Sequence, residues 1–148
     1  MVHKYYILCN KRLSHKWERG QTMKCEEEVT TIRCEEEVRN HVHEFLGSTE
    51  IVREGENGEY HNHRFAGVSG DAIPCKGGSH IHRIVTRTDN FNDHYHVIDI
   101  CTGPAIPVGN GQRHVHYVFA CTRESDGHKH MFRIATLIEN PIGDSEYC

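Results

Sequence analysis

Apolar and hydroxyl side chains recur along this chain at even spacings counted from paired histidines. His-x-His occurs at His41/His43, His61/His63, His80/His82, His94/His96, His114/His116 and His128/His130. Four residues after each first histidine stands an apolar side chain: Phe45, Phe65, Ile84, Ile98, Val118 and Phe132. Eight residues after it stands a hydroxyl, at Thr49, Ser69, Thr88, Thr102, Thr122 and Thr136. Even spacing puts all of these on one face of a β-strand, whereas a helix would scatter them around its axis. The alternate positions mix apolar Val85, Val97, Phe119 and Ala135 with charged Arg64, Arg83, Asp99 and Arg133. The pattern predicts six strands of about seven to ten residues, each with its His-x-His at the start.

Successive pairs are 20, 19, 14, 20 and 14 residues apart, so from His61 onward a long and a short step alternate. The repeating unit therefore spans two strands and about 34 residues. The short steps carry Asp89-Asn90-Phe91-Asn92-Asp93 and Arg123-Glu124-Ser125-Asp126-Gly127, turn chemistry of hairpin length. The long steps carry Gly70-Asp71-Ala72-Ile73-Pro74 and Gly103-Pro104-Ala105-Ile106-Pro107, expected to be ordered crossing loops with Ile73 and Ile106 tucked onto the sheet. The expected fold is all-β, an antiparallel tandem β-repeat of meander or sandwich-like form. A stacked solenoid would instead pair equivalent positions such as Cys101 and Cys121, each seven residues after a first histidine.

Two regions follow from this patterning. Residues 41–148 form the repeat domain, and residues 1–40 form a different N-terminal extension. The extension opens with a strand-like run, Val2-His3-Lys4-Tyr5-Tyr6-Ile7-Leu8, and then repeats Cys-Glu-Glu-Glu-Val at Cys25 and Cys34. Its Glu runs fit a solvated helix, alternating edge strands or a flexible acidic lead-in.

Composition narrows the function. The formal charge of the 148-residue chain is −4 with Lys and Arg scattered, which gives no basic field for nucleic acid. Tyr5-Tyr6-Ile7-Leu8-Cys9 stops at Asn10-Lys11-Arg12, too short for a Sec signal or a membrane span, so synthesis in the cytoplasm without membrane insertion is expected. Fourteen histidines could carry the charge from −4 to −4 + 14 = +10 on full protonation. Seven cysteines is an odd count, consistent with reduced thiols or with a bond between chains.

On a strand, the two imidazoles of His-x-His project side by side about 6.6 Å apart along the chain. A neighbouring strand's pair would bring three or four nitrogens to one ion, a donor set suited to Zn, Ni or Cu. All twelve paired histidines are therefore candidate ligands. Two other roles fit the same residues: sheet histidines stacked on Phe65 or Phe132 and bonded to Thr or backbone, and pH sensors. Few acids lie near the pairs in sequence, namely Glu44, Glu59, Asp93 and Asp126. An enzyme reading fits less well, because a cupin-like metal site has one pair with a Glu shortly after it, whereas here there are six pairs and only Glu44 follows one so closely, and no Cys sits in a Gly-rich nucleophile turn. No catalytic residue is assigned.

The run from His41 to Gly143 resembles the YmaF family of bacterial proteins. The resemblance is carried by His61-Asn62-His63-Arg64-Phe65-Ala66-Gly67, by the Gly-x-Ala-Ile-Pro loops at 70–74 and 103–107, and by Gly127-His128-Lys129-His130. It implies a His-rich repeat protein of spore-forming bacteria, and hence a place on the spore or cell surface; the first forty residues lie outside it.

Repeat arrays end in unpaired edges that invite another chain. The leading expectation from sequence is thus a non-enzymatic structural protein that self-assembles through β-strand contacts into a filament or spore-surface layer, with metal as an accessory. Tyr5, Tyr6, Ile7 and Leu8 would be donated to a neighbour's sheet edge, and Cys9 and Cys148 would join subunits by disulfides. The alternative is a soluble protein that binds or sequesters transition metal.

Overall fold

The computed structural model describes residues 40–53, 58–75 and 77–139 in full, together with the backbone of 6–10 and 29–33. Every regular element among them is a strand: β1 (Tyr6–Asn10), β2 (Val29–Arg33), β3 (Glu44–Ser48), β4 (Val52–Arg53), β5 (Tyr60–His61), β6 (Arg64–Val68), β7 (Ile73–Cys75), β8 (Ser79–Ile81), β9 (Arg83–Arg87), β10 (Val97–Cys101), β11 (Ala105–Val108), β12 (Arg113–Cys121) and β13 (Met131–Ala135). The protein is all-β and its pairings are antiparallel.

Three hairpins carry the repeat, β3 with β6, β9 with β10 and β12 with β13. The last two turn at Phe91-Asn92-Asp93-His94 and Ser125-Asp126-Gly127-His128, where φ is 41° and 65°, then 49° and 74°. Two successive positive φ values define the primed turn that matches strand twist, and Asn, Asp and Gly adopt them at least cost. The hairpins are joined into a ring by backbone bonds at each seam. Gly70 N and Asp89 N donate to Arg83 O and Arg64 O, Gly103 N and Arg123 N to Tyr117 O and Val97 O, and Glu50 N and Leu137 N to Met131 O and Glu44 O. The meander thus closes on itself in chain order, which removes free edges from its six strands.

Register stacks the ring's interior into layers. Phe45 faces Gly67, Ile84 faces Ile100 and Val118 faces Ile134; the next layer pairs Gly47 with Phe65, Thr86 with Ile98 and Ala120 with Phe132. Side chains of different bulk meet across several of these pairs, as close packing requires. A Cβ on Gly47 would stand 2.5 Å from Ile134 Cγ2, and one on Gly67 would stand 2.8 Å from Phe45 Cζ. All six predicted apolar positions are buried, joined by Ile100 and Ile134.

Several expectations need correction. Five of the six strands have five residues, shorter than expected, because most His pairs sit at the mouth of the ring just before the ladder begins. The long connectors are not crossing loops: β7 pairs β8, and β11 pairs the start of β12. Ile106 is 46% exposed rather than tucked in, since in β11 it pairs with Val115 at an outer edge. Cys101 and Cys121 face Arg83 and Met131 in antiparallel ladders, which excludes parallel stacking.

Candidate metal centres

Antiparallel neighbours begin at opposite ends of the ring, so the six His-x-His pairs are sorted by strand parity. The first, third and fifth pairs meet at one end, where His41, His43, His80, His82, His114 and His116 bring one nitrogen each within 4.8 Å of all the others. The second, fourth and sixth pairs meet at the other end. There His61, His63, His94 and His130 form one such group and His94, His96, His128 and His130 another, sharing two residues and so defining a single centre. A ligand set built from adjacent strands, three or four nitrogens as expected from sequence, is thus replaced by six nitrogens from alternate strands.

The Nε2 atoms converge. In the first centre Nε2–Nε2 separations are 3.0 Å for His41–His114 and His80–His114, and 3.1 Å for His41–His80 and His43–His114. In the second they are 3.1 Å for His61–His128, 3.2 Å for His61–His94, and 3.3 Å for both His63–His94 and His61–His130. The second histidine of every pair is essentially inaccessible to solvent, at 0–1% exposure.

What aims these nitrogens is a repeated set of partners supplied by the far end of another strand. His43, His82 and His116 donate from Nδ1 to the carbonyls of Leu137, Gly70 and Gly103, each at 2.8 Å. His63, His96 and His130 donate to those of Asp89, Arg123 and Glu50 at 2.9, 3.0 and 2.9 Å. A carbonyl only accepts, so each Nδ1 carries the proton and each Nε2 presents a lone pair inward. The residue before each of these carbonyls is the hydroxyl of the repeat. Thr136, Thr102, Thr49, Thr88 and Thr122, and Ser69 in the remaining unit, accept a backbone N–H from the second histidine of a pair at 2.9–3.0 Å. Every strand therefore runs from the histidines of one cluster, past the apolar layers, to the groups that orient those of the other.

The outer histidines have local partners. His61 and His128 donate from Nδ1 to the carbonyls of Glu59 at 3.3 Å and Asp126 at 3.1 Å, so these two acids contribute backbone rather than carboxylate. Glu139 Oε1 lies 3.2 Å from His114 Nδ1, and Asp89 Oδ1 lies 3.3 Å from His63 Nδ1. Phe91 stacks on His61, with ring centroids 4.5 Å apart and planes 4° from parallel, and covers that flank of the second centre.

Protonation is disfavoured at both ends. Burial, ahead of every other cause, pushes His82 down to about 3 and His80, His96, His116 and His130 down to about 4. His43 and His114 are lowered for the same first reason. At the inner histidines the carbonyl bonds oppose the shift, and a second charge on a neighbouring imidazole adds to it. Buried Nε2 atoms of His82, His96 and His116 have no hydrogen-bond partner, a costly arrangement for neutral protein alone. Neutral, tautomer-locked imidazoles with converging lone pairs are the form that binds a metal ion, and both clusters could hold one.

Sequence reasoning named all twelve histidines and the six hydroxyls, but not the six carbonyls or Glu139, and it read Asp89 and Phe91 only as turn residues. The carbonyls follow the hydroxyl at a fixed offset, a signal hidden because any residue type supplies one. Of the proposed assembly residues, Tyr6, Ile7, Leu8 and Cys9 lie in β1, whose backbone pairs with β2 of the same chain in the register Tyr6↔Arg33 to Asn10↔Val29. Tyr5 and Cys148 lie outside the described residues.

No curated protein and no solved structure matches the chain. A family model described as YmaF, spore germination protein GerY/YamF, matches residues 38–138 and so covers all six His pairs and the closed ring. The chain belongs to the YmaF family.

Proposed function

We propose that this protein is a non-enzymatic metal-binding protein that holds two divalent first-row transition-metal ions, one at each end of its β-ring, in the setting of the bacterial spore. The observation that carries the reading is the convergence of Nε2 lone pairs at 3.0–3.3 Å with Nδ1 of each inner histidine committed to a carbonyl. Six lone pairs pointed at one another repel; a cation at the centre turns that repulsion into ligation. The spore setting is taken from the family description alone. Self-assembly through a donated N-terminal strand carries no weight in this proposal, because the backbone of Tyr6–Asn10 already has a partner strand in its own chain.

The test is elemental analysis of the full chain after loading with Zn, Ni or Cu and dialysis. About two ions per chain are expected, in keeping with two separate donor clusters. Changing His41, His80 and His114 to Gln removes outer ligands of one centre while leaving the inner Nδ1–carbonyl bonds in place, and should remove one ion. Uptake equal to that of a chain with all six pairs changed to Gln-x-Gln would leave the histidines as structural residues.

A further inference from the structure

We infer that each centre encloses its ion in a closed octahedron of six imidazole nitrogens, and so selects nickel(II), cobalt(II) or iron(II) over zinc(II). The inference rests on the metal-binding reading above and adds coordination number and metal class. Its basis is the arrangement of the rings. In the first centre every imidazole stands edge-on to its neighbours and opposite one other: His41 is in edge contact with His43, His80, His82 and His114, and lies across from His116. His43 is likewise in contact with His41, His82, His114 and His116, and lies across from His80. His82 then lies across from His114. In the second centre His61 touches His63, His94, His128 and His130 and lies across from His96. The same relation sets His63 across from His128 and His94 across from His130. Six vertices, each with one opposite, are an octahedron.

The distances agree. The outer histidines of the first centre form a triangular face with edges of 3.0, 3.1 and 3.0 Å. An octahedron with edges of 3.0–3.3 Å has its centre about 2.1–2.3 Å from every vertex, an imidazole–metal distance slightly lengthened as six-coordination requires. A tetrahedral ion would use four of these nitrogens and leave two buried lone pairs without a partner, which is costly. Zinc, with a filled d shell, gains nothing from the octahedral field; nickel(II), cobalt(II) and iron(II) do, and imidazole suits them. Imidazole ligands bring no charge of their own, and among the described residues Glu139 beside His114 and Asp89 beside His63 place carboxylates against the two clusters, which favours the divalent state. No coordination position remains for water or substrate.

The experiment loads the full chain with cobalt(II) and records its visible spectrum with and without azide. Weak bands of six-coordinate cobalt, unchanged by azide, are expected. His128→Ala, which opens one position, should make the spectrum of half the cobalt respond to azide and shows that the assay detects an open site. Dialysis against equimolar nickel and zinc should return nickel in excess by about tenfold or more. Intense four-coordinate bands, an azide response in the unmodified protein, or a zinc majority would each overturn this inference while leaving metal binding intact. Failure to retain any metal would overturn the functional reading itself.

Discussion

His43 Nδ1 lies 2.8 Å from the carbonyl oxygen of Leu137, 94 positions away in sequence. His43 is an inner histidine of the first cluster, and Leu137 closes the strand that begins at His128 and His130 of the second. The same link recurs at all six strands, so loading one centre orders the ends of the strands that aim the other's ligands.

Metal binding should therefore be cooperative. A variant with the second centre disabled by His61→Gln and His128→Gln is expected to bind metal at the first centre roughly tenfold more weakly than the loaded wild type, within the usual span of coupling between sites. Calorimetric titration of both proteins measures this, and equal affinities would show that the centres are independent.

Thr102 tests the orienting hydroxyls. Its Oγ1 accepts from His82 N at 3.0 Å and donates to Gly103 O at 2.9 Å. Thr102→Val keeps the shape but leaves a buried N–H unpaired, so a stability loss of about 1–3 kcal/mol is expected. Metal affinity at the first centre should fall about 10–100-fold, as for other partners that orient a ligand. Chemical denaturation and metal titration give the two numbers.

Gly47 tests the packing between the centres. Gly47→Ala forces its Cβ against Ile134 Cγ2 and the Phe65 ring, and should cost about 1–3 kcal/mol through overpacking. Adding Ile134→Ala, which removes the Cγ2 that the new methyl strikes, should relieve the clash, so the double variant should lose less than the sum of the two single losses. Thermal unfolding of the single and double variants decides the point, and an unchanged midpoint for Gly47→Ala would contradict the layered core.

Metal-free protein should lose stability on acidification. The folded-state pKa values of His80, His82, His96, His116 and His130 lie at about 3 to 4, below the unfolded value of about 6.5. As pH falls the unfolded chain takes up protons first, so stability is unaffected well above about 6.5 and drains between there and about 3. Metal is released in the same direction, because protons compete for Nε2. Denaturation midpoints of metal-free protein at pH 7 and pH 5 check the sign; equal midpoints would refute it.

Much of this was legible in the chain. The offsets of zero, two, four and eight from each first histidine all face inward, and Asn92-Asp93 and Asp126-Gly127 turn where their chemistry says. Gly47 and Gly67 were less legible, because their absence of side chain has meaning only beside Phe65 and Phe45 on the partner strand. Ile106 misled, since an apolar residue before a proline looks tucked in until its edge strand is seen.

The sequence by itself determined the six repeat strands, their inward faces and the identity of the converging histidines, because side-chain direction along a strand depends only on parity. It could not determine which histidines meet. That was decided by closure of the six-strand meander, which sends antiparallel neighbours to opposite ends and alternate strands to the same one. Ring closure depends on contacts between residues as far apart as Glu44 and Leu137, and a local pattern holds no record of them.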